Sequence, residues 1–334
     1  MKKIMKTLVA AAAATSIAGC TVGGSAAQTS ATDNSKKDNK DLMIGIVQLV
    51  QHPALDAATK GFKDELKKEL DLTDKNFDEQ NAAGDSATCT QIANSLVSEN
   101  CDLILANATA ALQAASNATT TIPVLGTSVT DYGTALNIKD FNGKVGTNVS
   151  GTTDLAPLDK QADMFKELLP DAKNIGILYC SAEPNSTYQA TIVKKDLEDL
   201  GYTVTEYKFS DSNDVSQVTQ TACKDSDALY IPTDNTAASC TEAIDNVASQ
   251  SKTPIICGEE GIMSGCGIAT LSIDYYNLGV KTGKMAAEIL QGKKKVQDMP
   301  VESDDAPVKE YDKDRCEKLG IKVPDDYKEY KAEN

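Results

Sequence analysis

The sequence predicts an α/β protein of two Rossmann-like lobes, each built on a parallel sheet, joined by a hinge that the chain crosses more than once. Short apolar runs alternate with segments whose apolar residues recur every three or four positions, the pattern of strands and amphipathic helices. One order of elements is also written twice. Ile44-Gly45-Ile46-Val47 maps onto Ile175-Gly176-Ile177-Leu178 at an offset of 131, which also carries His52-Pro53 onto Glu183-Pro184 and Pro123-Val124-Leu125 onto Pro254-Ile255-Ile256. A third section, Gly267 to Gly292, follows the second copy and implies a return between lobes.

Met43 to Leu49 has the apolar run of a buried strand, and Pro53 then opens a helix where its missing N–H costs nothing. Leu55, Ala58, Phe62, Leu66 and Leu70 give that helix one apolar face. The alternation continues through Phe77, the helical group Ile92, Ala93, Leu96 and Val97, the strand Leu103 to Leu105 and the strand Pro123 to Leu125. The small, hydroxyl-rich stretch Val145 to Leu158 separates the two copies and is expected to be the pivot, with Thr147 to Gly151 flexing on closure. A helix from about Leu158 ends before Pro170, the strand at Ile175 follows, and Asp227-Ala228-Leu229-Tyr230 answers Asp102-Leu103-Ile104-Leu105 at a slightly shorter offset. In the third section, Ile268 to Ile273 reads as a strand. Leu278, Met285, Ile289 and Leu290 then mark a helix stopped by Gly292 and Lys293-Lys294-Lys295. The acidic tail from Val301 is expected to cross back and pack on a lobe edge.

These readings divide the 334 residues into a signal segment (1–20), a flexible tether (21–41), a first lobe (42–148 plus about 268–305) and a second (149–267 plus about 306–334). Lys2, Lys3 and Lys6 precede the apolar run Thr7 to Ala18, too short to span a bilayer permanently, and Ala18-Gly19-Cys20 resembles a lipobox with Cys20 as the lipidated residue. Formal net charge is −16, and −19 without those three lysines, so phosphate backbones are repelled and nucleic acid is excluded as a partner. Eight further cysteines show no Cys-x-x-Cys spacing and are read as small buried hydrophobes; with a single histidine, His52, no zinc site is expected.

In open parallel sheets ligands sit beyond the carboxyl ends of strands. The polar residues there are Gln48, Thr109, Thr127 and Ser128 in the first lobe, Asn185, Ser186, Asp234, Asn235 and Glu259 in the second, and Asp274 in the third section. Asn148 or Ser150 could face the ligand from the pivot. The first set is neutral and the second rich in carboxylates, which suits a zwitterion with its ammonium on Asp234, Glu259 or Asp274 and its carboxylate on hydroxyls and main-chain N–H groups. The chain's one arginine, Arg315, lies far down the tail. Each polar residue has an alternative role as a helix N-cap. No Gly-x-Ser-x-Gly or Gly-x-Gly-x-x-Gly occurs, His52 is the sole imidazole and is expected at the lip of the cleft or as a cap, and neither an enzyme nor a cofactor protein is indicated.

IGIVQLVQHPALDAATKGF (44–62), TNVSGTTDLAPL (147–158), NIGILYCSAEPNS (174–186), DALYIPTDNTAAS (227–239) and IDYYNLGVKTGKMAAEIL (273–290) resemble the tryptophan- and tyrosine-binding lipoproteins of ABC importers. The resemblance spans Leu42 to about Pro324. It implies a periplasmic binding protein type I fold with three crossings that closes, as a membrane-anchored extracytoplasmic monomer, on an aromatic amino acid and delivers it to an ABC permease and its ATPase. Receptors of that fold place hydroxyls matching Thr109 and Thr127/Ser128 on the ligand carboxylate, and an acid matching Glu259 or Glu260, with Asp234 as a further candidate, on the ammonium. Tyr132 and Tyr188 are the aromatic candidates for stacking. A receptor or surface adhesin for a sugar, nucleoside or peptide is the alternative, against which stands a chain with no Trp and five Phe.

Overall fold

The computed structural model describes residues 38–303 and 306–331; the signal segment, Cys20 and most of the expected tether lie outside them. In chain order the first half forms β1 (Ile44–Gln48), α1 (Pro53–Leu70), β2 (Phe77–Asn81), α2 (Ser86–Ser98), β3 (Leu103–Asn107), α3 (Thr109–Ala118), β4 (Val124–Val129), α4 (Tyr132–Leu136) and β5 (Val149–Thr153). The second forms α5 (Leu158–Leu168), β6 (Asn174–Cys180), α6 (Pro184–Asp199), β7 (Thr203–Phe209), α7 (Val215–Asp225), β8 (Ala228–Ile231), α8 (Asn235–Ser239), α9 (Thr241–Ser251), β9 (Ile255–Cys257), α10 (Glu260–Cys266) and β10 (Ala269–Ser272). Then come α11 (Tyr275–Leu290), β11 (Glu302–Ser303), β12 (Val308–Tyr311), α12 (Lys313–Leu319) and β13 (Lys328–Glu329).

The first sheet runs β2-β1-β3-β4-β5-β11 and the second β7-β6-β8-β9-β10-β12-β13. The first five strands of each are therefore ordered identically and pair in parallel, so the offset seen in the sequence is a repeat of architecture. Both helices that open with a proline follow the strand one in from the sheet edge, α1 after β1 and α6 after β6. The tail extends the second sheet at its edge, where β12 runs antiparallel to β10.

The expected lobe boundaries fall one strand early at the first two crossings. Val149–Thr153 pairs with β4 and belongs to the first sheet, and Ala269–Ser272 pairs with β9 in the second. Thr147 to Gly151 is accordingly no flexible pivot. Ser150 donates to the main-chain oxygens of Met299 and Pro300, and Gly151 sits at φ 143° with its α-carbon so near β4 that a Cβ would lie 2.1 Å from the Gly126 carbonyl oxygen. The first two crossings are the short links 154–157 and 273–274, and the chain returns to the second sheet between β11 and β12, so the first lobe is completed by α11 and β11. Residues 39–41, assigned above to the tether, form a turn fixed to the first lobe, where Asn39 donates to the Leu70 carbonyl and Asn76 to that of Asn39.

Each lobe has its own core. Ile44, Ile46, Phe62, Leu66 and Leu125 of the first are covered by Met285, Ala286 and Met299 from the third section. Gly61, Gly279 and Gly283 let α1 and α11 meet backbone to backbone: a Cβ at Gly279 would stand 2.0 Å from the Ala58 carbonyl oxygen. In the second lobe, Gln161 of α5 is fully buried and donates to the carbonyls of Gly258 and Leu271 while accepting from the Tyr230 hydroxyl, which fastens the helix after the first crossing onto its sheet. The eight described cysteines are unpaired thiols, seven of them buried.

Candidate functional site

Residues at the carboxyl ends of both sheets line a narrow cavity, and a wider cleft lined by Leu49, Val50, Gly84, Glu183, Asn185 and Asn235 opens beside it. The first lobe contributes His52 from the β1 exit, Ser128 and Thr130 from the end of β4, and Asp154 immediately after β5. The second contributes Asn185, Thr233, Asp234, Asn235 and Glu259, and Tyr275 enters from the second crossing. Ser128 has φ 54°, a conformation non-glycine residues seldom adopt, and lies where the pairing of β4 with β5 slips register. That bulge re-aims its side chain, and the hydroxyl is buried with no partner.

Three buried carboxylates line the cavity, and they differ in what their oxygens already hold. Asp234 caps α8, accepting from the Ala237 N–H (2.8 Å), and its second oxygen accepts from the Cys180 N–H (2.7 Å). Glu259 caps α10, accepting from the N–H groups of Gly261 and Ile262. Asp154 accepts from the Tyr275 hydroxyl on Oδ2 (2.9 Å), while its Oδ1 is buried without a partner. Desolvation raises all three above the ordinary carboxylate range, Glu259 to about 7; Glu183 beside Asp234 adds to the rise there. Only Asp154 has an oxygen to spare for a cation.

His52 is buried, not a lip residue, and its side chain makes no cap bond to α1. Its Nε2 lies 3.4 Å from Asn235 Oδ1 in the other lobe, and its Nδ1 has no partner. Burial lowers its pKa, against the raising effects of Asn235, Glu183 and Asp56.

Of the eleven residues expected to bind, Ser128, Asn185, Asp234, Asn235 and Glu259 line the cavity. The others are committed elsewhere. Gln48 donates to Asp56 and the Val50 carbonyl and accepts from Thr59, a network inside the first lobe. Thr127 accepts from Thr152, which bonds Thr282 behind the strand. Asn148 ties the amino end of β5 by donating to the carbonyls of Thr119 and Ile122, opposite the cavity. Thr109 is buried at the start of α3, and Ser186 is buried in α6, where its hydroxyl accepts from Asn185; neither lines the cavity. Asp274 is an exposed N-cap, bonded to the N–H and side chain of Asn277. Tyr132 is a core residue stacked on Phe141 with its hydroxyl donating to the Thr152 carbonyl, and Tyr188 does not line the cavity. Sequence reasoning missed Asp154 and Tyr275. Both were in view, Asp154 as the end of the Thr-Thr-Asp run directly after β5 and Tyr275 in the Ile-Asp-Tyr-Tyr segment that opens α11. Among the described residues no group of three or more His, Cys, Asp or Glu side chains could hold a metal ion.

The family profile described as ABC transporter substrate binding protein matches residues 43–333. The chain belongs to this family. A tyrosine-binding protein of Clostridioides difficile (strain R20291) is 40% identical to this substrate-binding protein over 304 residues, 90% of this chain and 87% of the relative. An ABC domain from Streptococcus pneumoniae solved in complex with L-Trp is 34% identical and superposes with TM-score 0.81, covering 85% of this chain and 96% of that one. The ligand-free, open structure of a Clostridium difficile substrate binding protein with adhesive properties is 38% identical but superposes with TM-score 0.66, over 87% of this chain and 100% of that one.

Proposed function

We propose that this substrate-binding protein captures an aromatic amino acid by closure of its two lobes and delivers it to an ABC permease and its ATPase. Members of the family act outside the cytoplasm; lipidation of Cys20 would hold this one, as a monomer, at the membrane. The observation that carries the reading is that three buried polar atoms without partners, His52 Nδ1, Ser128 Oγ and Asp154 Oδ1, line one cavity closed from both lobes. A buried polar group without a partner costs free energy that a ligand can recover. Asp154 Oδ1 takes the ammonium, Ser128 Oγ donates to the carboxylate, and Leu55 and the Tyr275 ring flank the side chain. The tyrosine- and tryptophan-associated relatives support the ligand class.

The same geometry argues for binding rather than catalysis. Ser128 Oγ is hydrogen-bonded to no base, and His52 Nε2 faces an amide oxygen rather than a nucleophile. Calorimetric titration with the twenty amino acids tests the reading. Heat from tyrosine, tryptophan or phenylalanine is expected; silence from all three overturns it, and mass spectrometry of whatever co-purifies then identifies the ligand.

A further inference from the structure

The hinge end of the cavity accounts for a zwitterion's two charges, but it leaves a buried acceptor on the far wall unused. Asn235 donates through Nδ2 (2.6 Å) and through its main-chain N–H (3.1 Å) to Glu183 Oε2. A carboxylate only accepts, so the amide is locked with Oδ1 turned toward the cleft. His52 Nε2 lies 3.4 Å from that oxygen and must therefore carry the ring proton, because in the other tautomer two lone pairs would face each other. Burial keeps the ring neutral. A neutral imidazole protonated on Nε2 bears its lone pair on Nδ1, the atom that is buried without a partner.

Position decides which ligand group meets it. Asp154 follows β5 and His52 follows β1, and the sheet order puts β4 and β3 between them. Three strand spacings separate these exits by roughly 14 Å. Asp154 and His52 therefore enter the cavity from opposite sides of the first sheet's carboxyl end, so a ligand held at Asp154 presents its side chain toward His52.

We infer that His52 Nδ1 accepts a hydrogen bond from a donor on the ligand's side chain, a phenol O–H or an indole N–H, and thereby selects tyrosine or tryptophan over phenylalanine. The inference rests on the aromatic amino acid reading above and adds a specificity-determining residue to it. Phenylalanine would leave the acceptor buried and unpaired, an expected loss of roughly 10- to 100-fold in affinity against tyrosine.

The test is calorimetric titration of tyrosine, tryptophan and phenylalanine into the wild-type protein and His52→Gln. Glutamine can still donate to Asn235 Oδ1 but has no atom at the Nδ1 position. The wild type should prefer tyrosine by the factor above, and in His52→Gln the ratio should fall to within roughly threefold. A wild-type ratio near one, a ratio unchanged by the substitution, or equal weakening of all three ligands overturns the inference; the last would mean that the ring touches the common amino acid backbone. Silence from all three with the wild type overturns the ligand class itself, whereas binding without discrimination overturns only the role of His52. Should the variant fail to fold, ¹⁵N NMR of the wild type decides, since His52 is the chain's one histidine. Its Nδ1 resonance should report an unprotonated nitrogen that shifts on adding tyrosine but not phenylalanine, and a protonated Nδ1 or equal shifts overturn the inference.

Discussion

The two lobes share a strand order and differ in how their strand ends are satisfied. His52 Nδ1, Asn107 Oδ1, Ser128 Oγ and Asp154 Oδ1, the buried side-chain atoms without partners among the described residues, all lie in the first lobe or, for Asp154, in the link that leaves it. The second lobe's carboxylates at the cavity are engaged at home, Asp234 with α8 and β6 and Glu259 with α10. Two copies of one architecture have thus taken different parts. The first lobe presents unmet hydrogen-bonding groups, and the second supplies a finished wall that shuts over them. The acid-rich side spends its acids on its own helices and strand ends.

The contrast can be broken most directly at Asp154. Asp154→Asn should weaken aromatic amino acid binding by roughly 100-fold, about 3 kcal/mol, without lowering the melting temperature of the unliganded protein, because it removes a buried carboxylate that has an empty oxygen. If Glu259→Gln gives that loss of affinity instead, the gripping side has been misassigned. The second lobe's acids should show themselves in stability. Glu259 is raised from 4.5 to about 7 by desolvation, so the folded state holds this proton more tightly than the unfolded chain does. Its contribution is present below pH 4.5 and is lost as pH rises to about 7. Denaturant titrations should find stability falling by on the order of 2 kcal/mol across that window, with a flatter profile in Glu259→Gln. Ser128→Ala should reduce affinity by roughly tenfold with an unchanged midpoint of unfolding, one hydrogen bond's worth. The smallest effect is expected at Asp274→Ala, which removes an exposed helix cap: about 1 kcal/mol of stability by thermal melting, and no change in affinity.

The fold was legible because a parallel sheet buries both faces of its strands and so writes them as apolar runs, and because two lobes repeated those runs at one offset. The site was half legible. A polar residue after a strand is visible in sequence, but its bonding partners are not, which is why Asn185, Asn235 and Ser128 reach the cavity while Gln48, Thr109, Thr127, Asn148, Ser186 and Asp274 do not. The stretch from Thr147 misled for a physical reason. Its small residues signal close packing: a Cβ at Gly126 or at Gly151 would lie 2.4 Å from the Tyr132 hydroxyl. Read as a loose pivot, it concealed both a fifth strand and the carboxylate that follows it.

The packing of α11 across α1 through Gly61, Gly279 and Gly283 also bears on how the protein is made. Ile44 and Ile46 leave the ribosome early, yet the side chains that cover them, Met285, Ala286 and Met299, are synthesised almost last. Until translation passes Met299 the first lobe has no complete core, and contacts this distant in sequence form slowly.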